Sequence, residues 1–361
     1  MYGLARRILF LLPPHAAHSV AMAALAPVEH VGLVRGVVRA LVGAPDARLA
    51  TRLLGLDFAS PVGVAGGFDK NASRPRSLAA LGFGFLELGT VTARAQVENP
   101  RPNLFRLPAD RALVNRLGFP NLGAARVAAQ IASRGAIGVP VGVSIGKSRG
   151  VELDPIGGAI ADYVASFDAV RSVADFVVVN VSSPNTKNLR AMQGAEIARA
   201  LFGALVARNT GAERKPLLVK ISPDMSDRDL DALLEVVEER KLDGVVATNT
   251  TLARAGLSTS AETVEAVGAG GLSGPPVRAR ALEVVRRVRT RLGAKIAVIG
   301  VGGIETSDDA LAMLRAGANL VQLYTGFIYR GPFVARQIAA GIAAELDRVG
   351  VSSVADLTVN G

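Results

Sequence analysis

Residues 296–326 read IAVIGVGGIETSDDALAMLRAGANLVQLYTG. An apolar run, Ile296 to Gly300, leads into Val301-Gly302-Gly303-Ile304. A helical pattern follows from Thr306 to Ala316, and a second apolar run, Leu320 to Tyr324, ends in Thr325-Gly326. Continuous apolar strands separated by a helix form a βαβ unit whose parallel sheet is buried on both faces. The unit recurs upstream, with candidate strands at Val62 to Ala65, Phe85 to Thr90, Val141 to Ile145, Phe176 to Val181, Leu217 to Ile221 and Gly244 to Thr248. Each is followed by a Gly-, Asn- or Ser-rich turn and then a helical stretch, such as Ser226 to Arg240 or Val277 to Arg291. Eight such units predict an α/β fold, a (β/α)8 TIM barrel, over a doubly wound open sheet, which seldom needs eight regular units.

The barrel is expected over residues 46–361, preceded by a helical extension over residues 1–45. Pro14 suits the first turn of a helix through Ala16 to Leu25, because its missing N–H would be unpaired there anyway. In Val31 to Val42 an apolar stripe of Leu33, Val34, Val37, Val38 and Leu41 is flanked by Arg35 and Arg39. That pattern suits a helix lying in a membrane interface, or one packed on its own domain. Arg6-Arg7 precede the apolar run Ile8 to Leu12, but Pro13-Pro14 stop it short of a signal peptide. No uninterrupted apolar stretch reaches the roughly 20 residues of a membrane span. The chain is therefore expected neither to span a membrane nor to be exported.

The 361 residues include 41 Lys and Arg against 31 Asp and Glu, a net charge of +10. With no cysteine, disulfides, thiolate metal sites, iron–sulfur clusters and a cysteine nucleophile are excluded. The three histidines, His15, His18 and His30, all lie near the N-terminus, which excludes a His-rich metal centre or a Ser-His-Asp triad in the barrel. No metal is expected. The positive charge fits an anionic lipid surface or acidic small ligands, or simply solvated arginine faces. Without tryptophan and with only 4% aromatics, nucleic-acid binding by base stacking is not expected.

The active site of such a barrel lies at the C-terminal ends of its strands, where the unusual residues fall. Glycines after strands seven and eight suit a phosphate, since backbone N–H groups can approach it closely. Strand one ends in Ala65-Gly66-Gly67-Phe68-Asp69-Lys70, which suits a flat ligand beside a cation. Strand four ends in Asn180-Val181-Ser182-Ser183-Pro184-Asn185-Thr186, strand five carries Lys220, and strand six ends in Thr248-Asn249-Thr250-Thr251. Ala93 to Asn121 is expected to form a flap with hairpin pieces at Leu104 to Leu107 and Ala112 to Asn115, followed by Asn115-Arg116-Leu117-Gly118-Phe119. Amides offer paired donors and acceptors for a ring bearing C=O and N–H groups. Lys220 can form a Schiff base or hold a developing negative charge.

On these segments the sequence resembles dihydroorotate dehydrogenase, in its class 2, membrane-associated, quinone-reducing branch, from about Tyr2 to about Gly331. The resemblance implies oxidation of dihydroorotate to orotate in pyrimidine synthesis, with FMN as cofactor and a membrane quinone as acceptor. It implies Ser183 as the base that removes the C5 proton, with Thr186 and Phe119 shaping the site and relaying the proton. Asn115, Asn180, Asn185 and Asn249 would hold the pyrimidine edge, with the turn Arg116-Leu117-Gly118 beside the substrate; Lys70 and Thr250 would lie at both substrate and flavin, and Asn180 would also touch the cofactor. Lys220 would face the flavin and stabilise its reduced form. The remaining cofactor set would be Gly66, Gly67, Phe68, Asp69, Thr90, Ser144, Thr248, Gly274, Gly303, Tyr324 and Thr325. His18 and Arg106 would line the quinone path. The expected protein is a monomer, docked peripherally on anionic lipid at the cytoplasmic face of a bacterial inner membrane.

The absence of cysteine fits this branch, because class 1 members use a cysteine base. A serine hydroxyl is a poor base at its ordinary pKa, so activity is expected to rise towards alkaline pH. Three positions depart from the pattern: Ser144 stands where Asn is expected, Asn103 where Arg is expected, and Val97-Glu98 replace a glycine-containing turn. The rival readings are a lyase or aldolase using Lys220, a non-catalytic membrane-docked phosphate binder, and an FMN barrel acting on another pyrimidine.

Overall fold

All eight apolar runs form strands in the computed structural model, which describes residues 2–359. They are Val62–Val64, Phe85–Val91, Val141–Ile145, Phe176–Asn180, Leu217–Ile221, Gly244–Ala247, Ala297–Val301 and Leu320–Leu323. Each pairs in parallel with its successor, and the eighth pairs with the first, closing a barrel. Helices such as Asp227–Glu239, Arg278–Leu292 and Ser307–Arg315 cover the outside with their apolar faces. Thr306 starts the last of these with a capping box to Asp309, which satisfies donors that would otherwise be unpaired.

Side chains of alternating size fill the barrel floor. Phe58, Phe85, Phe176, Leu218, Val246, Ile299 and Leu320 form one buried cluster. Gly63 and Gly142 make room for the two strand phenylalanines: a Cβ on Gly63 would lie 2.5 Å from the Phe85 ring, and one on Gly142 would lie 2.2 Å from the Phe176 ring. Phe58 closes the bottom, edge-on to Phe85 at 5.5 Å. It comes from a hairpin, Thr51–Leu53 with Leu56–Phe58, whose short strands carry little sequence signal. Truncating one of these rings to alanine would cost about 3–5 kcal/mol.

The flap hairpin forms at Leu104–Leu107 and Ala112–Asn115, and a third strand, Gly271–Ser273, extends its sheet. The extension comprises helices Tyr2–Leu11, Pro14–Ala24, Ala26–His30 and Gly32–Val42. The fully buried carboxylate of Glu29 fastens it to the barrel by accepting from the Ser77 N–H at 2.9 Å and from Ser77 Oγ at 3.1 Å. Leu4, Leu11, Leu33 and Leu41 of this extension are 63–85% exposed. No single helix among the described residues is long and apolar enough to cross a membrane.

Candidate active site

A cleft opens at the C-terminal ends of the barrel strands. Of the residues singled out in the sequence, Gly66, Gly67, Lys70, Thr90, Asn115, Leu117, Gly118, Phe119, Asn180, Ser183, Asn185, Lys220, Thr248, Asn249, Thr250, Gly274, Gly303, Tyr324 and Thr325 line it. Strand ends supply most of them, and the flap supplies Asn115, Leu117, Gly118 and Phe119. Phe119 has a φ of +54°, unusual for a residue with a bulky side chain. Its ring is held beside Gly146, where a Cβ would lie 2.9 Å away.

Five other candidates stand behind this lining. Phe68 stacks on Phe327 at 4.7 Å. Asp69 accepts the Ser73 and Arg74 N–H groups at 2.7 and 2.8 Å; burial raises its pKa. Arg116 turns outward, donating to the carbonyls of Val267 and Ala269 and lying 4.6 Å over Phe105. Ser144 is fully buried and reaches the cleft only through Thr90, with 2.9 Å between the hydroxyl oxygens. Thr186 is 7% exposed, and its hydroxyl has no hydrogen-bond partner among the described residues.

The amides form two connected groups. Asn185 Nδ2 donates to Asn115 Oδ1 at 3.0 Å, joining the strand-four loop to the flap. Asn249 Nδ2 donates to Ser182 Oγ at 2.9 Å and to Asn180 Oδ1 at 3.3 Å. Asn180 Nδ2 in turn donates to Thr90 Oγ1 at 3.0 Å. Ser183 lies between the groups, its Oγ accepting from the Asn185 N–H at 3.2 Å. Amides anchored in this way keep fixed directions for their remaining donors and acceptors.

Below the amides, Lys220 Nζ meets Glu87 Oε1 at 3.1 Å, and Gln322 Nε2 donates to Glu87 Oε2 at 3.0 Å. Glu87 is fully buried, and Gln322 Oε1 has no partner among the described residues. The sequence reading missed Glu87 and Gln322, although a carboxylate and an amide within continuous apolar strands are signals that a buried partner exists. The Lys220 amine, which a Schiff base would need free, is engaged by the Glu87 carboxylate. Lys70 lies half-buried at the cleft wall, donating to the Gly67 carbonyl at 2.7 Å. Burial lowers its pKa to about 8 against the opposing pull of Asp69 and Glu98.

The far end of the cleft is a backbone cradle. Gly303 has a φ of +70°, and a Cβ there would lie 2.7 Å from Arg278 Cβ. Arg278 fixes the turn by donating from Nε and Nη2 to the Gly303 carbonyl at 2.8 and 2.7 Å. Glycine backbone at one end, amides at the other and the unpartnered Gln322 oxygen on the floor fit a long flat ligand with a polar ring edge and an anionic tail.

The remaining two candidates lie towards the extension. His18 stands edge-on to Phe68 at 5.9 Å, and burial lowers its pKa to about 4. Arg106 donates to the Phe10 and Leu12 carbonyls at 3.2 and 2.8 Å and lies 4.5 Å over the Phe10 ring. His15, next to His18's helix turn, is 2.6 Å from Asn103 Oδ1, one of the departures from the family pattern.

Known proteins match both sequence and fold. The family model for dihydroorotate dehydrogenase matches residues 48–346. A protein named dihydroorotate dehydrogenase (quinone) from Rhodococcus opacus (strain B4) is 50% identical over 356 residues, covering 99% of this chain and 98% of its own. The protein of that name from Mycobacterium tuberculosis (strain H37Rv) is 48% identical over 354 residues, covering 98% of this chain and 96% of its own. A crystal structure of DHODH from Eimeria tenella in complex with ferulenol has a TM-score of 0.83 at 32% identity, covering 96% of this chain and 95% of that one. The chain belongs to the dihydroorotate dehydrogenase family.

Proposed function

We propose that this chain oxidises dihydroorotate to orotate with FMN and passes the electrons to a membrane quinone. The observation that carries this is the convergence of Ser183 with Asn115, Asn180, Asn185 and Asn249 in one cleft above the Lys220–Glu87 pair. FMN, the cofactor of the family, supplies the hydride acceptor when bound. Gly66, Thr90, Thr248 and Lys220 would hold its ring, and Gly274, Gly303, Tyr324 and Thr325 its phosphate side.

The four asparagines hold the pyrimidine edge, and the Lys70 ammonium takes the substrate carboxylate. Ser183 Oγ removes the C5 proton. The unpartnered Thr186 hydroxyl is the group available to carry that proton onward, and Phe119 excludes bulk water. The positive field of Lys220 favours negative charge accumulating above it. Activity rises with pH because the serine must shed its proton. Stopped-flow measurement of flavin reduction across pH tests this assignment. Ser183→Ala should lose at least about 100-fold in the reduction rate while retaining FMN; a flat wild-type profile would remove Ser183 as the base.

The exposed leucines of the extension, with Arg6, Arg7 and Arg39 nearby in sequence, support peripheral docking on anionic lipid. Quinone then enters past His18 and Arg106. The variant L33E/L41E should lose binding to anionic vesicles and turnover of long-tailed quinone. Its reduction by dihydroorotate should be unchanged.

A further inference from the structure

The two loops that must cooperate in this chemistry meet outside the cleft, at a single guanidinium. Arg190 lies on the short helical turn Leu189–Gln193 that follows the Ser183 loop. Its Nε donates to the Ser182 carbonyl at 3.1 Å, one residue before Ser183. Its Nη2 donates to the Thr250 carbonyl at 3.0 Å, one residue after Asn249. Its Nη1 pairs with Asp224 at 2.7 Å, on the loop after strand five. Three donors of one rigid plane thus join the ends of strands four, five and six. Arg190 does not line the cleft.

The linkage continues to the flap. Asp224 also accepts from the Thr251 hydroxyl and, at 2.8 Å, from the Leu252 N–H. Thr251 exchanges backbone hydrogen bonds of 3.0 and 2.8 Å with Leu272. Leu272 belongs to the strand paired with Ala112–Asn115, where Gly271 stands opposite Asn115. Ser183, Asn249 and Asn115 are therefore set relative to one another through contacts that touch no substrate.

We propose that Arg190 is a positioning residue for the reductive half of the reaction, clamping the base-bearing loop to the loop that carries Asn249. It holds Ser183 at the distance proton removal requires. A planar fork is needed, because a lysine ammonium cannot direct donors along all three fixed lines. Rate is steep in such placement: about 1 Å of displacement costs about 100-fold. The oxidative half, in which quinone enters from the extension, does not use this clamp.

This inference rests on the proposed reaction, and the two half-reactions are measured separately on the FMN-loaded full chain. Reduction by dihydroorotate is followed anaerobically, and reoxidation by a short-tailed ubiquinone analogue is followed after photoreduction. Arg190→Met should slow reduction by about 100-fold and weaken orotate binding, with reoxidation within twofold of wild type. Arg190→Lys should recover only part of the loss. Asp224→Asn, which leaves both carbonyl bonds available, should show a smaller loss in the same half-reaction and serves if Arg190→Met does not fold. Equal reduction rates in wild type and these variants would overturn the clamp, as would equal slowing of both half-reactions. A flavin-loaded wild type that dihydroorotate does not reduce overturns the proposed reaction, and the clamp with it.

Discussion

Replacing Glu87 with glutamine removes the carboxylate that pairs with Lys220 on the barrel floor. The pair is buried, with side-chain exposures of 6% for Lys220 and 0% for Glu87. Removing one partner of a buried pair leaves an uncompensated charge and costs about 3–5 kcal/mol. Gln322 can turn its amide so that the unpartnered Oε1 accepts from the introduced amide, which keeps that hydrogen bond. Charge is therefore the main loss. Out of a total stability of about 5–15 kcal/mol, a loss of this size is readily measured by urea unfolding at 25 °C. The double variant E87Q/K220M should recover most of it, because a buried pair can be exchanged for neutral groups at little net cost. If E87Q lies within about 1 kcal/mol of wild type, or the two changes are additive, the pair does not hold the floor together.

Other perturbations read other parts of the site. Orotate affinity should fall as pH rises through about 8, where Lys70, the group proposed to take its carboxylate, loses its charge; titration of the orotate-induced spectral shift checks this, and Lys70→Met should abolish the dependence. His18 has a folded pKa of about 4, below its ordinary 6.5. Between those values the unfolded chain binds the extra proton, so stability rises with pH and the contribution levels off above 6.5. His18→Phe should flatten that limb in urea titrations at pH 5 and 7. Gly303→Ala places a Cβ 2.7 Å from Arg278 Cβ at a left-handed residue. About 1–2 kcal/mol of strain should raise the FMN dissociation constant about tenfold, measured by the fluorescence of released flavin.

The eight strands were legible because a sheet buried on both faces needs continuous apolar runs, and Gly-rich turns punctuate them. The flap hairpin was legible from its two short strand-like pieces, Leu104–Leu107 and Ala112–Asn115, although its first strand is only partly buried. The floor hairpin at Thr51–Phe58 was not, since three-residue strands carry too little pattern. Nor was Gly271–Ser273, whose glycine and serine read as a turn until Ala112–Asn115 offers it an edge. Within the site, residues at strand ends could be singled out because polarity there is out of place in a core. Phe68 and Asp69 share that position, but their side chains turn towards the extension and the adjacent turn. Glu87 and Gln322 were missed because Glu87 finds its partners, Lys220 and Gln322, 133 and 235 residues away in sequence, and no local pattern joins them. Arg190 was missed similarly: its three acceptors come from three different loops.

The central claim is tested most directly by adding dihydroorotate to the purified protein in the absence of oxygen and quinone while recording its visible spectrum. The account predicts a bound-flavin band that bleaches and returns when a ubiquinone analogue is added. A yellow protein that does not bleach would contradict the substrate assignment. A protein that stays colourless after FMN is supplied, and that borohydride traps on Lys220 with an aldehyde, would contradict the account as a whole.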